Sequence, residues 1–356
     1  MKNFITNNQC IIIYCLQKLS FGCPVAKIPF LARMLGEGIT PVYKPRSPKG
    51  VDSVLGWGVK STAKRARGFA RRHHLPYVAL EDGFLRSFGT GDRFPPLSLV
   101  VDDRGIYYDS TRPCALEDLL NSDADLLTGI AAGVARARGL ILSHKLSKYN
   151  HAPLLGNGDR KHAVLENGAP GRRRVLVVDQ TAGDRSVLLG GANAATFSAM
   201  LTAARAENPD ATVYVKTHPE VTARRKGGYL TRVPEDARGG RRAVVLRGLI
   251  NPLDLMERMD RVYVVSSTLG FEALLMGKPV TCFGLPWYAG WGVTDDRQRC
   301  PRRARRRSVE ELFAAAYFHY ARYLDPVTHR RGTIFDVIAF LVLQGSAGCG
   351  GERTAW

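Results

Sequence analysis

The chain lacks any Cys-x-x-Cys pair among its seven cysteines. Cys10, Cys15, Cys23, Cys114, Cys282, Cys300 and Cys349 are scattered and odd in number. That argues against a structural zinc or a disulfide framework and suits a reducing cytoplasm. Long apolar runs are missing too: Cys10 to Leu16 is too short to span a bilayer, and no small-residue cleavage site accompanies it, so neither a membrane span nor a signal peptide is expected. G-x-x-x-x-G-K-[ST], G-x-S-x-G and H-E-x-x-H do not occur, which removes P-loop NTPases, α/β-hydrolase esterases and zincins. No RNA-binding signature, C₂H₂ spacing or heptad-backed basic region is found, so nucleic acid ranks below other anionic partners. Internal repeats are absent. Acidic residues are the scarce class: 32 Asp and Glu face 51 Lys and Arg, a formal net charge of +19. Such a balance points to a phosphorylated small molecule or a lipid surface.

What is present reads as two α/β units. The 356 residues exceed one typical core, and 45% apolar content is ordinary for a soluble globular chain. Residues 1–23 show no clear period and are expected to form a poorly ordered leader. Residues 24–155 read as a first α/β domain, 156–174 as a linker rich in Gly, Arg and Asn, and 175–300 as a Rossmann-like domain. A basic run with closing helices (301–344) and a tail (345–356) follow. In the first domain, Ile28 to Leu35 predicts a helix and Thr62 to His74 a basic helix, with strands at Ser53 to Trp57 and Tyr77 to Leu80. Leu97 to Val101 and Ile106 to Tyr108 flank Asp102-Asp103-Arg104-Gly105, which predicts a β-hairpin with an Asp/Gly turn. In the second domain, strands are expected at Val175 to Val178, Thr212 to Val215, Val244 to Leu246, Val262 to Val265 and Pro279 to Phe283. Ser308-Val309-Glu310-Glu311 predicts a capping box opening a helix to about Leu324.

The stretch VYVVSSTLGFEALLMGKPVTCFGLPWYAGWG (262–292) organises the second domain. Ser266 and Ser267 follow a buried-strand pattern and Gly270 opens a helix. Such a turn suits a phosphate, while a plain helix-capping role for Ser266 stays open. VYVKTHPE (213–220) brings Lys216, His218 and Pro219 to another strand end, where His218 can donate to a phosphate or serve the fold alone. VLVVDQTAGDRS (175–186) places Asp179, Gln180 and Asp184 on a third such loop; a carboxylate there is a candidate nucleophile or base, or a turn cap. Glu81 and Asp82 are adjacent at a strand end, a pattern for one protonated and one ionised carboxylate or for an Asp-Gly turn. Five arginines between 302 and 307 precede an amphipathic helix and predict docking on an anionic membrane, with a solvated face as the alternative. Asp102-Asp103 is explained better by the hairpin than by a metal, so no metal is expected.

Taken together, EDGFLRS (81–87), PPLSLVVDDRGIYYDSTRP (95–113), LSKYNHAP (146–153), VLVVDQTAGDRS, VYVKTHPE, GFEALLMGKPVTCFGLPWYAGWG (270–292) and ARYLDP (321–326) resemble the capsule-polysaccharide β-Kdo transferases of Gram-negative bacteria, from about residue 24 to 344. The EDG, HP and SS signals are also similar to those of GT-B sialyltransferases. The resemblance implies a GT-B fold, two Rossmann-like halves around a central cleft. It implies retaining transfer of Kdo from CMP-β-Kdo onto a phosphatidylglycerol-based acceptor, or onto a Kdo already attached to it, with no cofactor and no metal. The expected place is cytoplasmic, peripheral on the anionic inner membrane, with capsule-export proteins as further partners and no nucleic acid. Carried onto this sequence, Asp184 becomes the nucleophile, with Gln180 four residues before it. His218, Ser266 and Ser267 would hold the CMP phosphate and Glu272 the ribose hydroxyls, with Lys216, Pro219 and Gly270 completing the donor set. Glu81 and Asp82 take acid/base or acceptor roles. Many family members carry two such modules in tandem and this chain has one, so it is either a single-module enzyme or a truncated one. Two other readings stay open: a non-catalytic glycolipid-recognition component of capsule export, and an inverting CMP-sialic-acid-dependent transferase.

Overall fold

The β-branched runs of the sequence become two sheets. The computed structural model describes residues 10–13, 30–35, 39–41, 51–59, 63–90, 94–156, 165, 171–222, 226–230 and 243–347. The first sheet contains β1 (Cys10–Ile13), β2 (Ile39–Pro41), β3 (Val51–Trp57), β4 (Tyr77–Asp82) and β5 (Ser98–Asp102). The second contains β6 (Arg174–Val178), β7 (Thr212–Lys216), β8 (Val244–Leu246), β9 (Arg261–Val264), β10 (Val280–Cys282) and β11 (Asp295–Asp296). Its pairings are all parallel, in the order β11-β10-β9-β6-β7-β8. Such strands are covered on both faces, which is why they read as continuous apolar runs. The order reverses between β6 and β9, so a crevice opens at their carboxyl ends. This is the α/β, GT-B-like architecture expected from the sequence, with two halves around a cleft.

Three local expectations fail, each for a physical reason. The Asp102 hairpin does not form. Asp102 is fully buried, and its carboxylate accepts from the N–H groups of Arg104 (2.8 Å), Gly105 (2.7 Å) and Ala115 (3.1 Å) and from the Tyr320 hydroxyl (2.7 Å). Held this way, the chain turns into the helix Ala115–Asn121, and Ile106 and Tyr107 enter the core instead of pairing with β5. The partners of β5 are β4 and a distant strand, β12 (Ala321–Leu324), both antiparallel. That strand is the second correction. The helix after Ser308 runs only over Val309–Phe313, widens into a π-helical stretch at Ala314–Tyr320, and gives way to β12. With β13 (Arg331–Gly332), the closing stretch therefore adds two strands to the first sheet. Third, Cys10–Ile13 lies between β2 and β3 as a strand, where an unstructured leader was expected. The rest of that leader, most of the linker stretch and residues 348–356 lie outside the described residues.

Among the described residues, no helix is long and apolar enough to cross a membrane. One continuous apolar core joins the halves. Its centre is aromatic: Phe84 of the EDGF turn packs against Trp287 (5.1 Å) and Tyr317 (5.2 Å), and Phe271 against Trp287 (4.5 Å). Polar fasteners surround it. Glu117 is buried and accepts from Arg302 Nε (2.7 Å) and Arg303 Nε (3.2 Å). Arg303 also donates to the carbonyls of Pro286 and Ala289, and Arg307 to those of Leu120 and Ser122 and to Glu311. Most of the arginine run is thus drawn into the fold: Arg303 and Arg307 are buried, Arg302 is bound to the first half and Arg305 pairs with Asp123, while Arg306 stays exposed with no ion pair among the described residues. The sequence could not show that Glu117, far away in the chain, would draw these cations inward. Glu117→Ala should destabilise the fold by about 3–5 kcal/mol, because it strands a buried guanidinium. Arg305→Ala, at an exposed pair, should cost about 1 kcal/mol or less. Urea unfolding of the two variants beside the parent chain measures the difference, and equal costs would show that the Glu117 cluster does not hold the halves.

Candidate functional site

Three loops from the carboxyl ends of β6, β7 and β9 meet at the crevice. Gln180 leaves β6 and reaches the turn after β9: its Oε1 accepts from the Ser266 N–H (3.0 Å), and its Nε2 donates to the Ser266 hydroxyl (3.1 Å). Ser186 completes the cluster, with its hydroxyl 3.1 Å from that of Ser266. Ser266 is therefore not a helix cap. The helix Leu269–Leu275 begins after Thr268, with no side-chain cap, and Ser266 is fastened to the first loop instead. Ser267 is half-buried, and its Oγ accepts from the Leu269 N–H (3.3 Å). Gly270 allows the turn its shape. A Cβ there would sit 2.1 Å from the Tyr288 hydroxyl, which donates to the Ser267 carbonyl.

Asp184 is half-buried and caps the short helix Arg185–Leu189, its Oδ1 accepting from the Ser186 N–H (2.9 Å). Asp179 has a different environment. One of its oxygens accepts from the N–H groups of Gln180, Tyr229 and Leu230, while the other is buried beside Gly228 without a hydrogen-bond partner. Burial raises its pKa, although those three N–H groups oppose the shift. Asp179 thus straps residues 228–230 over the loop.

His218 follows β7 and is half-buried. Its Nδ1 accepts from the Glu220 N–H (3.2 Å), which leaves the proton on Nε2. Burial lowers its pKa, while Glu220 and Asp184 pull the other way. Pro219 starts the short helix Pro219–Thr222 and is exposed. Lys216 stands at the end of the same strand, β7. It is buried, and its ammonium donates to the carbonyls of Thr217 (2.9 Å) and Gly248 (3.2 Å), tying the exits of β7 and β8 together.

The first half supplies the opposite wall. Glu81 and Asp82 end β4 and take different partners. Glu81 is buried toward Gly58 and the Tyr108 hydroxyl, whereas Asp82 pairs with Arg86 at 2.6 Å. Glu272, on the helix after the hydroxyl turn, crosses to this wall. Its Oε1 accepts from the Ser147 hydroxyl (2.7 Å) and the Lys148 N–H (3.3 Å), while its buried Oε2 has no hydrogen-bond partner. Burial raises its pKa to about 7. A second crossing joins the Asp184 loop to the first half, where the Ser110 N–H and hydroxyl both donate to the Leu189 carbonyl. Sequence reasoning missed Ser186, Ser147 and Ser110 as site residues. Each lies within a quoted motif, but a serine beside stronger candidates gives no separate signal. No group of three or more His, Cys, Asp or Glu side chains among the described residues could hold a metal.

The LipA capsule polysaccharide modification protein of Neisseria meningitidis serogroup A is 46% identical over 325 residues, 89% of this chain and 44% of that protein. The lipopolysaccharide-processing protein LpsZ of Rhizobium meliloti is 40% identical over 272 residues, 75% of this chain and 58% of that protein. The chain thus spans about half the length of these relatives. Among solved structures, the β-Kdo 2,4 transferase of Thermosulfurimonas dismutans KpsC is 48% identical with a TM-score of 0.83, covering 93% of this chain and 98% of that one. The β-Kdo 2,7 transferase of the same protein is 27% identical with a TM-score of 0.64, covering 94% and 99%. The model for the capsule polysaccharide biosynthesis proteins matches residues 52–323, and with the identity to LipA it shows that the chain belongs to that family.

Proposed function

We propose that the chain is a glycosyltransferase module that moves Kdo from CMP-β-Kdo, with retention, onto a Kdo-bearing phosphatidylglycerol-type acceptor during capsule synthesis. One observation carries this reading: 48% identity to the KpsC β-Kdo 2,4 transferase across 93% of the chain, against 27% for the 2,7 enzyme. The same difference favours the 2,4 linkage. In this reading the His218 Nε2–H and the hydroxyls of Ser266 and Ser267 meet the charge that grows on the departing CMP phosphate. Gln180 fixes the hydroxyl turn against the loop of Asp184. A β-linked donor that gives a β-linked product requires two displacements, and Asp184 is the proposed nucleophile. Glu81 and Asp82 serve the acceptor side as acid/base or binding groups. The unpartnered Glu272 Oε2 is the proposed acceptor for the ribose hydroxyls.

The test incubates the chain with CMP-Kdo and a synthetic acceptor ending in β-Kdo, following CMP release and solving the product linkage by NMR. No CMP release would favour a glycolipid-recognition component, and turnover of CMP-sialic acid with inversion would favour the sialyltransferase-like reading. Asp184→Asn should lower transfer by about a thousandfold or more while CMP still binds. His218→Ala should lower it by about a hundredfold. Trapped Kdo should map to the peptide holding Asp184. An adduct on Glu81 or Asp82, or ready turnover by Asp184→Asn, would sink the nucleophile assignment.

Glu272 gives a separate, pH-based check. Its folded-state pKa of about 7 lies above the ordinary value of 4.5, so the folded chain holds this proton more tightly than the unfolded one. The contribution of Glu272 to stability is therefore greatest below pH 4.5 and is lost as pH rises toward about 7. The loss is on the order of 3 kcal/mol. Glu272→Gln keeps an oxygen for Ser147 and removes the charge. Urea unfolding across this pH range should show a flatter profile for the variant than for the parent chain. Parallel profiles would mean that the carboxylate is not held in this environment.

A further inference from the structure

With four of the five arginines of the run held by partners, a larger group of unpaired cations among the described residues lies elsewhere. The nine-residue helix Lys64–Arg72 links β3 to β4. Its apolar face, Ala66, Phe69 and Ala70, packs with Val54 in a small separate core. Lys64, Arg65, Arg71 and Arg72 are exposed, and spacings of one, six and seven residues set them on one stripe. Gly68 lies within that stripe, and nothing stands within 4 Å of a Cβ built on it, so the stripe is open. None of the four cations forms an ion pair with a carboxylate among the described residues. The contrast with Arg302, Arg303, Arg305 and Arg307, all of which find partners, is direct. Arg67, one turn in, points the other way, donating to the Gly58 carbonyl and lying over the Tyr77 ring. That contact also fixes position. Gly58 adjoins Glu81 and Tyr108, so the amino end of the helix lies beside the acceptor wall of the cleft.

We infer that the exposed face of Lys64–Arg72 docks the protein on an anionic phospholipid surface, with the acceptor wall beside the bilayer. The choice of occupant rests on the lipid-acceptor reading above and on charge. A short, flat stripe of cations matches a plane of phosphates, where each basic residue adds to attraction. Nucleic acid fits less well. Phe69, the aromatic of this helix, is buried and packed against His73, so the face offers no ring on which a base could stack, and the apolar side of the helix is already committed to the sheet.

The experiment measures co-sedimentation of the full chain with phosphatidylglycerol/phosphatidylethanolamine vesicles and with phosphatidylcholine vesicles. Arg65→Glu/Arg72→Glu is compared with a charge-matched control, Arg172→Glu/Arg173→Glu, at exposed positions beside the amino end of β6. The parent chain should prefer phosphatidylglycerol vesicles, and added salt should weaken the association. The helix variant should lose at least about tenfold in partitioning and the control about twofold or less. Arg65→Gln/Arg72→Gln provides the same comparison should charge reversal disturb folding. Equal losses in helix and control variants, no preference for anionic vesicles, or binding to RNA in place of vesicles would each overturn the inference. Transfer to a soluble Kdo acceptor separates the two proposals: the helix variant should retain it, and its absence in the parent chain would strike the transferase reading while leaving the vesicle result intact.

Discussion

One buried carboxylate governs how the halves sit together. The chain leaves the first sheet after β5, builds the whole second sheet, and must return to place β12 beside β5. Glu117 marks the crossing point. It lies on the first helix after the Asp102 turn, and Arg302 and Arg303 reach it from the segment that follows β11. Arg303 at the same time holds the carbonyls of Pro286 and Ala289, which frame Trp287, and Trp287 packs on Phe84 from the first half. Charge, backbone and aromatic core thus converge on one junction. Buried ion pairs gain little net stability over well-packed apolar side chains. What this one contributes is registry: few other arrangements of the halves would satisfy both guanidinium groups.

That junction also marks the boundary of what the sequence made legible. Second-half strands were readable because a parallel strand covered on both faces shows itself as an unbroken β-branched run, as in Val175 to Val178. The glycines and hydroxyls at their ends located the loops of Gln180, His218 and Ser266. Wherever the answer depended on a distant partner, local chemistry misled. Asp102-Asp103-Arg104-Gly105 has good hairpin composition, yet the Asp102 carboxylate serves Ala115 and Tyr320, and β5 pairs with a strand more than two hundred residues away. The arginine run looked like surface because its partner carboxylate is equally remote. The helix predicted to reach Leu324 stops at Tyr320, where pairing with β5 outweighs helical propensity.

The site was legible as residue types and less so as geometry. Glu81 and Asp82 are adjacent in sequence, yet one is buried toward Gly58 and the Tyr108 hydroxyl and the other pairs with Arg86, which no motif shows. Lys216 stood in the right segment, and its buried ammonium donates to the carbonyls of Thr217 and Gly248, contacts that no motif shows. Ser186 was hidden by its neighbour Asp184, although it is one of the two hydroxyl side chains that bind the first and third loops together.

Glu272 connects these observations to function. Its two oxygens have unequal surroundings: one is held by Ser147 and Lys148 of the first half, and the other is buried and unpartnered. A carboxylate so placed is costly as an anion and acceptable as a neutral acid, which is why burial lifts its pKa to about 7. A ligand that brings hydroxyl donors to the free oxygen changes that balance, because each donated hydrogen bond favours the charged form. The anion in turn accepts more strongly from Ser147, across the junction. In the transferase reading, filling the ribose position on the second half would therefore tighten its grip on the first half through a single side chain. No separate hinge is needed for donor binding to be felt on the wall that carries Glu81 and Asp82.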